Sequence, residues 1–268
     1  MRLAFTLLAL TGGSAALAGT VITMESRDIF GDQELAADLV MYVDGGSLRL
    51  DAIDREDGTE GSLIYLSDSE ELIAIDHASR EFVVLDRVAV QAMANQISSA
   101  MEQAEEALEE LPPEQREFAR QMLRQQLGEM TDKPTPRDVQ PSDSKGSVAG
   151  ISCENYDVLE NGSKTRELCV ADWSQISGGD DIRYVIESMA GFFEDMRTAF
   201  SRDGFDLMGP RSDVFSHMRD IDGFPVKSAD FDESGIATND MHFVSSVTRD
   251  VDPALFAPPT GYTEQVVQ

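Results

Sequence analysis

The chain has 268 residues, 50 of them acidic and 21 basic, for a formal net charge of −29, and 41 % of its residues are hydrophobic. A surface this acidic repels phosphate backbones and anionic headgroups, so nucleic acid is excluded as an expected partner. The length and apolar share suffice for one large domain or two small ones, and clear apolar periods exclude wholesale disorder.

Residues 1–18 begin with Arg2, continue through the apolar run Leu3–Leu10 and end in Ala16-Leu17-Ala18. A positive start, a short apolar segment and an A-x-A site form the pattern of a secretory signal peptide, here cleaved after Ala18. The run is shorter than the ~20 apolar residues that a membrane-spanning helix needs. No later run reaches that length, so no transmembrane segment is expected in the mature chain, residues 19–268. Gly19, not a cysteine, follows the cut, so no lipid anchor is expected either. The expected location is periplasmic or secreted. The alternative is a signal retained as an N-terminal anchor.

The first mature third reads as strands. Leu35, Ala37, Leu39, Met41 and Val43 alternate with Glu34, Ala36, Asp38, Val40 and Tyr42, the period-2 pattern of a half-buried strand. Asp44-Gly45-Gly46 signals a turn, and Ser47–Ile53 returns from it. Arg55–Gly61 reads as a polar loop. Asp54, Glu56, Gly58 and Glu60 lack the full ligand order of a calcium loop, which leaves an ordinary acidic turn. Ser62–Leu66, Glu71–Ile75 and Glu81–Leu85 are short strands joined by short polar turns, which gives an antiparallel meander.

The period then changes. Met93, Ile97, Met101, Ala104, Leu108 and Leu111 recur at spacings of three and four, on one helical face. Pro112-Pro113 breaks that helix. A second starts near Glu114 with Phe118, Met122, Leu123, Leu127 and Met130 on its apolar side. The pair makes a helical hairpin over about residues 87–130, followed by a flexible loop, Thr131–Gly146, rich in Pro, Ser, Asp and Lys.

Strands resume at Ser147–Leu159 and Ser163–Trp173, around Glu160-Asn161-Gly162. A three-residue loop there sets Cys153 directly opposite Cys169. They are the only two cysteines, and in an oxidising compartment such neighbours form a disulfide. The competing reading, a redox pair, lacks the C-x-x-C spacing at a helix start. Ile182, Val185, Ile186, Met189, Phe192, Phe193, Met196 and Phe200 then form the widest apolar stripe. Asp180 and Asp181 stand at its start and Gly204 follows its end. Strands are expected at Phe224–Phe231 and Met241–Thr248, and Phe256–Tyr262 is expected to dock as an extended tail.

No nucleophile elbow, zincin motif, phosphate loop or dinucleotide fingerprint occurs. His77, His217 and His242 are scattered singles. No enzyme activity, cofactor or metal is expected. Methionine adapts to varied apolar ligands. Met93, Ile97, Met101, Met122, Met189, Phe192, Phe193 and Met196 are therefore candidates for lining an apolar cavity, the alternative being plain core.

The segments Met41–Arg49, Ile64-Tyr65-Leu66, Val148–Tyr156, Gly223–Val226 and Phe256–Tyr262 resemble an uncharacterised bacterial envelope family. That family is related to the half-open β-barrels of the lipoprotein carriers (LolA/LolB-like). The resemblance implies an antiparallel sheet curled around helices, with an apolar hollow on the concave side, and transfers no substrate. The fold class expected is α+β, a curved antiparallel sheet with amphipathic helices covering its concave face. The function expected is a soluble periplasmic binding protein for an apolar ligand, such as a lipid or acyl chain. The alternative is a protein–protein interaction module of envelope assembly or stress sensing, without a small ligand.

Overall fold

The computed structural model describes residues 18–30, 33–55, 58–112, 115–119, 137–200 and 221–266. The first seventeen residues of the expected signal, and Met122, Leu123, Leu127, Met130, Gly204 and His217, lie outside them. Among the described residues twelve strands build one curved, unclosed sheet. They are β1 (Ala18–Phe30), β2 (Gln33–Asp44), β3 (Ser47–Asp54), β4 (Gly58–Leu66), β5 (Glu71–Asp76), β6 (Glu81–Leu85), β7 (Arg137–Val148), β8 (Ile151–Glu160), β9 (Ser163–Ala171), β10 (Phe224–Phe231), β11 (Ala237–Asp250) and β12 (Thr263–Glu264). Their spatial order is β12-β6-β5-β4-β3-β2-β1-β11-β10-β9-β8-β7. All neighbours are antiparallel except β12, which runs parallel to β6.

Among the described residues two long helices accompany the sheet, α1 (Arg87–Glu109) and α2 (Gly179–Phe200). The side chain of Asp86 caps α1 by accepting from the Ala89 amide at 2.7 Å. Residues 115–119 are helical. Helix α2 supplies the centre of the main core. Its Ile182, Val185, Ile186, Met189, Phe192 and Met196 are at most 4 % exposed. They pack against Ile22, Val43, Leu48, Tyr65, Phe224 and Val226 of the sheet. Full burial of each such side chain is worth ~1.5–3 kcal/mol, so this one stripe anchors the helix to the wall. Gly178 precedes α2 at φ +67°, and a Cβ there would lie 1.9 Å from Thr20 Oγ1, so only glycine lets β1 approach the helix start.

Several expectations need correction. Residues 137–146, read as part of a flexible loop, belong to the edge strand β7, which a register shift between Pro141 and Lys145 interrupts. An edge strand tolerates proline and charge because half its backbone groups need no partner strand. The stretch 147–159 is not one strand. Ala149 and Gly150, both at positive φ, turn β7 into β8. Strand β4 begins at Gly58, inside the expected loop. Strand β1, unassigned from the sequence, sits in the middle of the sheet.

The disulfide forms as expected, with Cα atoms 5.3 Å apart, but its register differs. Asn161 and Gly162, both at positive φ, make a two-residue turn closed by the Glu160–Ser163 pair. A shift between Val158 and Leu159 then slides the ladder, so Cys169 faces Asn155 and bonds Cys153 diagonally. The tail Phe256–Tyr262 is not wholly extended, because Phe256 ends a 3₁₀ turn and Thr260-Gly261 form a turn with Gly261 at positive φ.

Candidate functional site

Antiparallel register stacks the inward-facing residues of β2–β6 into transverse rows. One row runs Val43, Leu48, Tyr65, Leu72 and Leu85, each directly opposite the next. Its first four members are at most 5 % exposed. Tyr65 packs on Phe192 with ring centroids 5.9 Å apart, and its hydroxyl bonds Ser188 Oγ at 2.9 Å. Burial pushes the Tyr65 phenol above its ordinary pKa, and the Ser188 bond only partly offsets that.

The next row, two residues along each strand, runs Met41, Leu50, Leu63, Ala74 and Val83. It is equally apolar, yet Met41, Leu50, Leu63 and Val83 are only part-buried and Ala74 is exposed. Among the described residues, the helices thus cover one row of the concave wall and leave the following row part-exposed. This half-covered strip is an apolar trough, with Met93 and Ile97 of α1 part-buried against the same core.

The trough has a cavity at its lower end. A space of about 340 Å³ is lined by Gly61, Ala74 and Val83, with Asp76, Glu81 and Gln265 around it. Near the start of α1 a second groove of about 270 Å³ lies between the helices, lined by Val90, Phe192, Met196 and Ala199 with Arg87 and Asp195 at its mouth. Arg87 bonds Glu70 and, at 3.0 Å, Asp195, so it ties the first turn of α1 to the β4–β5 turn and to α2. These sizes sit around the lower bound of the ~300–1,000 Å³ typical of small-molecule sites. They suit one chain or a small apolar body.

The structure divides the sequence-derived lining candidates. Phe192 and Met196 line the inter-helix groove. Met93, Ile97 and Phe193 are part-buried against the main core, and Met189, 1 % exposed, is deep within it. Met101 lies on α1, its side chain outside the described residues. Leu50, Leu63, Ala74 and Val83 escape sequence reading. Each strand shows only its own alternation, and the row exists only once the registers are known.

The convex face carries a polar cluster that sequence reading also misses. Arg49 donates to Asp51 Oδ1 at 2.6 Å, to Ser62 Oγ at 2.8 Å and to the Leu255 carbonyl at 2.9 Å. Ser62 donates to Asp51 at 2.6 Å. His77 bridges Ser62 Oγ at 2.8 Å and the Tyr262 hydroxyl at 2.9 Å. Every atom is satisfied when His77 Nε2–H donates to Ser62 and Nδ1 accepts from Tyr262. The serine proton is then committed to Asp51, and the carboxylate sits on the serine instead of behind the histidine. That is the wrong order for a nucleophile–base–acid relay. The cluster instead clasps the tail, whose Phe256 and Tyr262 pack on Ile64, Ile73 and Ile75. His242 pairs with Asp240 at 2.7 Å on β11. Among the described residues no group of three or more His, Cys, Asp or Glu is placed to hold a metal ion. Among them, too, no helix is long and apolar enough to cross a membrane.

No family model and no curated protein matches the chain. Solved structures similar to it include an uncharacterized conserved protein from Thermus thermophilus, at TM-score 0.44 and 9 % identity, covering 93 % of this chain and 90 % of that one. The complex of Pseudomonas aeruginosa MucA and MucB is similar at TM-score 0.38 and 11 % identity, over 94 % of this chain and 59 % of that one. A DUF1329 family protein from Desulfovibrio piger is similar at TM-score 0.21 and 8 % identity, over 91 % of each chain.

Proposed function

We propose that the mature chain is a non-catalytic periplasmic binding protein that holds an apolar ligand, such as a lipid or acyl chain, along the concave wall. One observation carries this reading: the Met41–Leu50–Leu63–Ala74–Val83 row is apolar and half-open, directly beside a row that is buried. A sheet that only needed a core would present polar residues where its helical cover stops. The secretory pattern of residues 1–18 supplies the compartment.

The test is native mass spectrometry after mild purification, with solvent extraction of the same sample. The expected result is added mass that extraction releases as an apolar molecule. A bare chain that also fails to take up a fluorescent acyl probe overturns the reading. A stable protein partner recovered without lipid would favour the interaction-module alternative.

A further inference from the structure

The β5–β6 end of the trough carries two carboxylates. Asp76 and Glu81 face each other in register, one step beyond Ala74 and Val83, and both line the 340 Å³ cavity. The Asp76 carboxyl is held below the usual carboxylate range by the Ser79 amide, the Ser79 hydroxyl and the Ala78 amide, so it is ionised at neutral pH. Glu81 accepts from Gln265 Nε2 at 2.7 Å, which fixes its carboxylate beside the cavity. An apolar ligand ending in a carboxylate would therefore bring its charge against two carboxylates at the β5–β6 end of the trough, whereas a cationic end is matched there.

We propose that the trough takes a cationic amphiphile, its chain along Met41, Leu50 and Leu63 and its ammonium between Asp76 and Glu81. This rests on the binding reading above and names the class of ligand. A ligand of this polarity is also drawn in at long range by the net charge of −29. The local pair, unlike that diffuse field, discriminates by position.

Decylamine, decanol and decanoate, below their micellar concentrations, would be titrated calorimetrically into the full mature chain at pH 7 and low salt. The expected order is decylamine tightest, by about tenfold over decanol, which is ~1.4 kcal/mol, with decanoate weakest. In the double variant Asp76→Asn/Glu81→Gln the preference for decylamine over decanol falls to within about twofold. In a distant control, Asp143→Asn/Glu233→Gln, the preference persists. Equal binding of decylamine and decanol overturns the inference and leaves the trough standing. So does a preference that the Asp76/Glu81 variant keeps. Binding of none of the three overturns the trough itself.

Discussion

Leu48 and Leu50 lie two residues apart on β3, on the same face, and differ in cover. Leu48 is 2 % exposed beneath the helices, and Leu50 is part-buried in the open row. Leu48→Ala removes atoms from a closed, packed site, so the transfer and cavity terms both apply, at ~3 kcal/mol within the 2–5 range for such truncations. Leu50→Ala removes atoms already part-hydrated, beside space that solvent can fill, for ~1–2 kcal/mol. At ~2–4 °C per kcal/mol for a chain of this size, the first variant melts roughly 6–12 °C below the parent and the second roughly 2–8 °C below. Thermal unfolding followed by circular dichroism reads both. Equal losses would mean that the second row is packed as tightly as the first, and the trough would be gone.

Two other outcomes follow from the polar groups. Arg49→Ala strands the buried Asp51 carboxylate and frees the Leu255 carbonyl, at a cost of ~3–5 kcal/mol in urea unfolding, while Arg49→Met with Asp51→Leu costs much less; similar losses in both would show that the clasp has another origin. Asp76 is held below the ordinary carboxylate pKa first by the Ser79 amide, and Asp172 first by the Ser174 hydroxyl. A depressed folded pKa contributes stability that is complete above the unfolded value of ~3.9 and is lost as pH falls through the folded value. The urea midpoint should therefore drop below about pH 4, and less steeply in Asp76→Asn/Asp172→Asn; identical slopes would refute the assignment.

Much of the architecture is legible because short-range patterns dictate it. Alternation puts Leu39, Met41 and Val43 on the face that packs inward, and the stripe from Ile182 to Met196 is the one that fills the core. Composition misleads at 137–146, since proline and serine mark loops in general but are tolerated at a sheet edge. The cysteine pair is recognisable while its register is not, because a one-residue difference in the turn and a shift near Val158 change what faces what. The trough, the Asp76–Glu81 pair and the clasp around Ser62 all join residues from different strands. No single segment shows them, and they emerge only from pairings summed across the sheet.

The central place of β1 has a consequence for how the chain assembles. Strand β1 joins β2, formed next to it in sequence, but its other side is completed only by β11, far along the chain from it. Closing so distant a pairing is entropically slow. Until it happens, the β1–β6 half presents a raw hydrogen-bonding border to any neighbouring chain. The seam between β1 and β11 is thus the juncture where incompletely folded molecules are most exposed to mispairing.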